Sequence, residues 1–543
     1  MRLSLEVPVS AEFDAEAARL VDSRLASRLS RQDPELFSGA EGAHQRMGWV
    51  ELPHRAEELL TRIEALRVEL VERGLRTISL AGMGGSSLAP EVMAATAGVQ
   101  LEVVDSTDPD QIVEAVGTDL SNTVLIVASK SGTTVETDAI RRSFAAAFES
   151  VGIDPASRMV AITDPGTELD RLAADEGFLA VFHADETVGG RYSALSAFGL
   201  VPAGLAGADV RAVVADAAAA AELFAADSLD NPALRFGTWL SIAHARATEK
   251  LVLAEADPSP RGLAAWIEQL IAESLGKDEQ GILPVVVDSP TDVGFSDARA
   301  DALLCLLGSA DEDAELGAPS GFEATVTGDL GELFLFWEHA TAFAGYSIGV
   351  NPFDQPDVEE AKAQARQLLD QPVTAQSAEP VFREGSIDVI ETVGEATDLV
   401  AALQELFGQV DEYGYVAVQA YLDRLADADA AGLRPLVSAH AGVQTTFGFG
   451  PRYLHSTGQY HKGGRPNGVF LQITGEARTD ILVPGLGYSF AQLQRAQAAG
   501  DAAALQSKGR PVLRVHLLDR ARGLEQMREA IAAVSPRHHF GID

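Results

Sequence analysis

Beyond residue 76 the chain alternates short apolar runs with loops and amphipathic stretches. RTISLAG, LEVVDS, TVLIVAS, MVAITD and FLAVFH read as buried strands, and most lead through a loop into a helical stretch. Such alternation is the pattern of a parallel, doubly wound sheet, whose strands are covered on both faces and so lack a polar side. Earlier, HRAEELLTRIEALRVELVERG carries apolar residues at helical spacing and Gly74 follows as a C-cap, so residues 1–74 read as a mostly helical segment. A helical zone containing VRAVVADAAAAAELFAA leads to a second series: KLVLAEA, LPVVVD, GFEATVTG and the long apolar helix LGELFLFWEHATAFAGYSIG. QPVTAQSAEPVFREG, residues 371–385, has the composition of a linker. SIDVIE, GYVAVQAYL, GVQTTFGFG, GVFLQIT and PVLRVHLLD then form a third strand series. The expected architecture is α/β, with two doubly wound parallel-sheet domains at 75–230 and 231–370 and a C-terminal α/β domain at 385–543.

Composition narrows the class. No apolar run reaches the length of a membrane span, and the acidic N-terminus, interrupted by Pro8, does not read as a signal peptide. A net charge of −39 argues against nucleic acid and against anionic membranes. The single cysteine, Cys305, excludes an intramolecular disulfide and a thiolate-rich metal site, so a cytoplasmic location is expected. Lysine occurs at only six positions, 130, 250, 277, 362, 462 and 508, in a chain that otherwise uses arginine. A lysine retained against that bias points to a site that needs a compact, flexible ammonium.

Two glycine and hydroxyl loops stand at strand ends of the first sheet. GMGGSS follows the first strand, with Pro90 placed to help begin a helix, and SKSGTTVET, residues 129–137, follows TVLIVA. Glycine admits a ligand close to the backbone, while hydroxyls and free N–H groups at a helix start bind an anion. Neither loop has Walker or dinucleotide spacing. Together they predict a site for a small phosphorylated ligand.

These residues resemble a known family. SKSGTTVET and GMGGSSLAP are similar to the sugar-isomerase domain. With GGRYSALSAFGL, WIEQLIAESLGK and NPFDQPDVEEAK they follow the motif order of glucose-6-phosphate isomerases over roughly residues 75–365. The resemblance implies two sugar-isomerase domains and the reversible conversion of glucose 6-phosphate to fructose 6-phosphate through an enediolate, without a cofactor. It implies that Ser129, Lys130, Ser131, Thr134 and Thr137 hold the phosphate and that Gly85 and Ser86 line the sugar. Family members commonly pair, so a homodimer is expected.

Aldose–ketose isomerisation needs a base at C2, a cation beside the enediolate oxygens and an acid/base that opens the sugar ring. The motif match selects Glu273 over its neighbour Glu268 as the base, with Gln269 on the same helix surface. Lys277, four residues on, is placed to support the helix or the glutamate. By resemblance, Arg191 stands beside the reacting oxygens and Lys362 approaches the sugar ring.

The histidine departs from the family pattern. It ordinarily precedes the NPFDQP-type motif, yet no histidine lies between Lys277 and His339, and His339 sits in an apolar helix where packing is its expected role. A related run, YLHSTGQYHKGG, comes later, an arrangement that resembles the isomerase half of transaldolase–glucose-6-phosphate isomerase fusions. The expectation is that the third segment folds back and delivers His455, with Lys462 adding positive charge; the alternatives are His461, or neither histidine, the run then being a structural loop or a subunit-interface contact. No acidic residue or cysteine accompanies the two histidines at ligand spacing, so no metal is expected. The alternatives are an isomerase of another hexose phosphate and a non-catalytic phosphosugar-binding regulator, which would not need Glu273, Arg191 and Lys362 together.

Overall fold

The computed structural model describes residues 1–37, 46–257, 259–308, 315–354, 356 and 379–537. Its strands assemble into three sheets, as the α/β reading requires. The first runs Glu102–Val104, Thr77–Gly82, Thr123–Ala128, Met159–Thr163, Ala180–His183, all parallel. Alternate residues serve its two faces. Ile78, Leu80, Val124, Ile126, Val160 and Ile162 enter one core, while Ala81, Leu125, Val127, Met159 and Ala161 enter another.

In the second sheet the order is Arg2–Glu6, Glu323–Thr327, Ala302–Leu307, Lys250–Glu255, Leu283–Val287, parallel except for its first strand. Its Leu251, Leu253, Leu303, Cys305 and Leu307 share the larger core of the first sheet, together with Trp266 and Trp337 of intervening helices. The third sheet runs Phe382–Glu384, Ile387–Glu391, Val512–Leu517, Gly468–Gly475, Tyr415–Tyr421, Gln444–Phe449. Its last four strands are parallel, and its first two are antiparallel additions.

Three strands differ from expectation. Arg2–Glu6 lies in the segment read as mostly helical, but Leu3 and Leu5 alternate with polar residues, and that period fits a half-buried edge strand. Ala302–Leu307 is an unbroken apolar run and is buried throughout in the centre of the second sheet. Phe382–Glu384 pairs with the next strand inside the stretch read as linker, whose residues 371–378 lie outside the described residues. Among the described residues, no helix is long and apolar enough to cross a membrane.

The third sheet meets the first through charge. An arginine stands just beyond the carboxyl end of each of its four parallel strands: Arg424, Arg452, Arg478 and Arg520. All four reach acidic residues of the first sheet's unit. Arg424 contacts Glu91 (3.1 Å) and Asp105 (3.0 Å), and Arg452 contacts the same two carboxylates, with Glu91 at 2.5 Å. Arg520 pairs with Asp108 at 2.6 Å, and Arg478 lies 3.4 Å from Asp110, whose carboxylate also accepts the N–H groups of Arg478 and Thr479. Asp105, Asp108 and Asp110, between Glu102–Val104 and the first turn of the helix Pro109–Val116, thus meet the carboxyl ends of the third sheet's strands, the side on which doubly wound sheets ordinarily bind ligands.

A second joint is built from one of the rare lysines. Lys250 is fully buried, pairs with Asp301 at 2.9 Å and donates to the Tyr413 carbonyl of the third unit. Removing one partner of a buried pair leaves an uncompensated charge. Lys250→Met is expected to lower stability by about 3–5 kcal/mol in chemical denaturation. Lys250→Met/Asp301→Leu is expected to recover much of it, and equal losses in the single and double variants would contradict this account.

Candidate active site

The site is framed by two glycines that permit close approach. Gly84 has φ +56°, and a Cβ there would stand 2.6 Å from the His455 carbonyl oxygen and 2.8 Å from Gln269 Nε2. At Gly85 a Cβ would lie 2.0 Å from the Gly190 carbonyl oxygen, so GMGGSS rests directly on the VGGRYS turn. Of the two serines, Ser87 is buried and donates to the Gly84 carbonyl (3.2 Å) and to Asp105 (3.3 Å). Ser86 is less enclosed.

SKSGTTVET turns from the end of Thr123–Ala128 into the helix Val135–Ser150, with Gly132 at φ +70°. Ser129 and Thr134 hydroxyls are 2.9 Å apart, and those of Ser131 and Thr133 are 3.0 Å apart. Thr134 caps the helix without a side-chain bond, and the buried Thr137 hydroxyl has no protein partner. The helix start therefore offers N–H groups and hydroxyls to an anion. Lys130 is engaged already, by Asp164 at 2.7 Å and the Asp185 carbonyl at 3.3 Å.

Glu273 and Gln269 are four residues apart on the helix Leu263–Leu275, both buried on one face. Gln269 Nε2 donates to Glu273 (3.3 Å) and to the His455 carbonyl (2.8 Å), while its own buried Oε1 has no protein partner. Arg191, only 2% exposed, lies 3.5 Å from the Glu273 carboxylate. Its remaining N–H groups donate to Ser274 (2.9 Å) and to the carbonyls of Pro352 (2.9 Å) and Asp354 (2.6 Å).

Lys277 donates to the carbonyls of Asn351 (2.6 Å) and Asp354 (2.7 Å) and to the Asp354 carboxylate (2.6 Å). Two cations thus hold the NPFD turn. Burial, aided by Arg191, brings the Lys277 ammonium down to about 8 despite Asp354. On the same helix, burial pushes the Glu268 carboxyl up to about 8 against the pull of Arg452. Lys362 lies outside the described residues.

The three histidines of the sequence argument separate clearly. His339 packs against Trp49 at 4.7 Å, with Nδ1 bonded to the Leu335 carbonyl, and burial pushes it down to about 4. His461 is buried against Tyr415 and Phe470, bonded to the Tyr415 hydroxyl at 3.2 Å and held well below its ordinary value by burial. His455 alone of the three sits at the loops, its Nε2 3.0 Å from Glu136. Lys462 does not add free charge, because it is buried in an ion pair with Asp501 at 2.5 Å.

Several site residues escaped the sequence reading. Glu136 binds His455 and accepts from Gln497 at 2.8 Å. It lies inside SKSGTTVET, and an acid amid an anion cradle signals a nearby cation or donor, so the clue was present. Ser274, between Arg191 and the Tyr192 hydroxyl (3.3 Å), and Asp354 carried no such signal.

The phosphoglucose isomerase family model matches residues 60–299, which takes in four of the five motifs. A glucose-6-phosphate isomerase of Rippkaea orientalis is 30% identical over 376 residues, covering 58% of this chain and 70% of that protein. One from Staphylococcus saprophyticus is 28% identical, covering 62% and 89%. Another, from Citrifermentans bemidjiense, is 36% identical, but only 36% and 39% of the two chains are covered. Among solved structures, a protein of Thermus thermophilus described as hypothetical superposes with TM-score 0.58 at 26% identity, covering 68% of this chain and all of that one. The Chlamydia trachomatis glucose-6-phosphate isomerase shares the fold with TM-score 0.52 at 20% identity, covering 68% and 87%. The chain belongs to the glucose-6-phosphate isomerase family, whose members interconvert glucose 6-phosphate and fructose 6-phosphate.

Proposed function

We propose that this chain carries out the family's isomerisation with Glu273 as base, Arg191 as the cation beside the enediolate and His455 as the ring-opening group. The observation that carries the reading is the double role of Gln269. Its one amide nitrogen binds both the Glu273 carboxylate on its own helix and the backbone of His455, 186 residues away from Gln269, at the rim of GMGGSS.

The sugar's phosphate lies in SKSGTTVET, held by Ser129, Ser131, Thr134 and Thr137 and the N–H groups at the start of Val135–Ser150. Lys130 joins them to the extent that phosphate displaces Asp164. Gly85 and Ser86 face the sugar, and the Gln269 Oε1 accepts one of its hydroxyls. Phosphate binding anchors the far end of the substrate and so fixes the reacting carbons.

His455, oriented by Glu136, gives a proton to the ring oxygen as its bond to the anomeric carbon breaks, the anomeric hydroxyl releases its proton to water to become the carbonyl, and the chain opens. Glu273 then takes the C2 proton and returns it to C1. The Arg191 guanidinium, preorganised by Ser274 and the NPFD carbonyls, stabilises negative charge on the enediolate oxygens. Lys362 is assigned to the ring by family likeness alone. Pairing of two copies and the resemblance to the isomerase half of transaldolase fusions rest on the same likeness, and cytoplasmic residence rests on the single cysteine, Cys305.

Glu273→Gln is expected to lower kcat on fructose 6-phosphate by about 10²–10⁴-fold, with sugar-phosphate binding, read by calorimetry, retained. Turnover close to wild type would remove Glu273 as the base.

His455→Ala is expected to slow fructose 6-phosphate but not enolisation of erythrose 4-phosphate, followed as deuterium exchange at C2. That four-carbon sugar has no free hydroxyl able to close a five- or six-membered ring. Equal losses on both substrates would count against a ring-opening role.

Lys277 carries its proton only below about pH 8, so its charge on Asp354 is lost as pH rises through that value. An alkaline fall in kcat/KM near there is expected, moved upward by Lys277→Arg. Because Glu268 loses its proton in the same range, the fall must persist in Glu268→Gln. A fall abolished by that change would assign it to Glu268 instead.

A further inference from the structure

His455 belongs to the third unit, so contacts between units must fix its place against the first sheet. Arg452–His455 form a single 3₁₀ turn. With three residues per turn, side chains at i and i+3 eclipse, and Arg452 and His455 therefore share one face.

Arg452 is the anchor of that face. Its guanidinium spans Asp105 and Glu91, the latter at 2.5 Å. Burial alone would raise the Glu91 carboxyl, yet Arg452 and Arg424 hold it at about 2. Asp105 is fully buried and also accepts from Ser87 of the GMGGSS loop. Glu91 stands on the helix Leu88–Ala97 that follows that loop. Between the two anchored residues, Tyr453 bonds Asp501 at 2.6 Å and Tyr421 at 3.0 Å, which ties the turn to its own unit.

We propose that Arg452 is the positioning residue for His455, acting through Asp105 and Glu91 to hold the histidine turn against the sugar loop. This rests on the ring-opening role of His455 given above. Arg452 touches no substrate in this account, and its effect is confined to the step that His455 performs. Arginine is required because one planar group must reach two carboxylates at once, which the single ammonium of lysine does not reproduce.

The test is steady-state turnover of fructose 6-phosphate beside C2 exchange on erythrose 4-phosphate, for Arg452→Lys, His455→Ala and the double variant. Asp105→Asn serves as the second variant if Arg452→Lys does not fold. A misplaced catalytic group costs on the order of 10²-fold. Arg452→Lys is expected to lower kcat on fructose 6-phosphate by about that factor while leaving KM and the erythrose 4-phosphate exchange near wild type. Adding it to His455→Ala is expected to cost nothing further, the mark of two residues acting as one unit. Equal losses on both substrates, wild-type turnover, or full additivity with His455→Ala would overturn the positioning role. If His455→Ala itself spares the ring form, the reading of His455 falls. Ring selectivity in His455→Ala without it in Arg452→Lys or Asp105→Asn overturns this inference alone.

Discussion

The site depends on charge removed from water. Arg424, Arg452 and Arg520 are set against Glu91, Asp105 and Asp108, with Asp105 and Asp108 fully buried. Each buried ion costs several kcal/mol in lost hydration, which is regained only when its partner stands at hydrogen-bond distance. Such a joint therefore tolerates one register between the units and penalises its neighbours. An apolar contact of the same area would let the third unit slide or rotate, and the histidine turn with it. Here the direction of approach is fixed by guanidinium planes rather than by shape alone.

Inside the site, Arg191 and Lys277 are held by backbone carbonyls before substrate arrives. Arg191 and Lys277 share the carbonyl of Asp354, and together they take up the carbonyls of Asn351 and Pro352 as well. Backbone dipoles around a buried cation hold it in place without neutralising it. The Arg191 guanidinium is thus already oriented by Ser274 and two backbone carbonyls, which under the proposed role leaves no reorganisation to the chemical step.

Local chemistry was legible in the sequence, and long-range closure only in part. GMGGSS, SKSGTTVET and WIEQLIAESLGK each bring together residues close along the chain, so their residue types and spacing carry the message. The strands were readable wherever apolar runs were bounded by turns, and Arg2–Glu6 was missed because a short alternating stretch beside helices leaves little to count. His455 and His461 lie in one run, and spacing alone left both open. What separates them is environment: His461 is enclosed by Tyr415 and Phe470, and His455 meets the Glu136 carboxylate on the helix Val135–Ser150. Lys462 was misread for the same reason, since Asp501, which neutralises it, comes from a distant helix. An ion pair between remote residues leaves no mark in either local sequence.

The acidic loop seated over the third sheet gives that unit an unusual standing. A parallel sheet with arginines at its strand ends is built as a receptor for anions, and here the anion is a stretch of the same polypeptide. Tethering makes the encounter intramolecular, so the effective concentration of that ligand far exceeds what a free metabolite attains. The contact is thus made by the same folding event that brings the third unit against the first. A surface suited to holding anions serves here as a fastening.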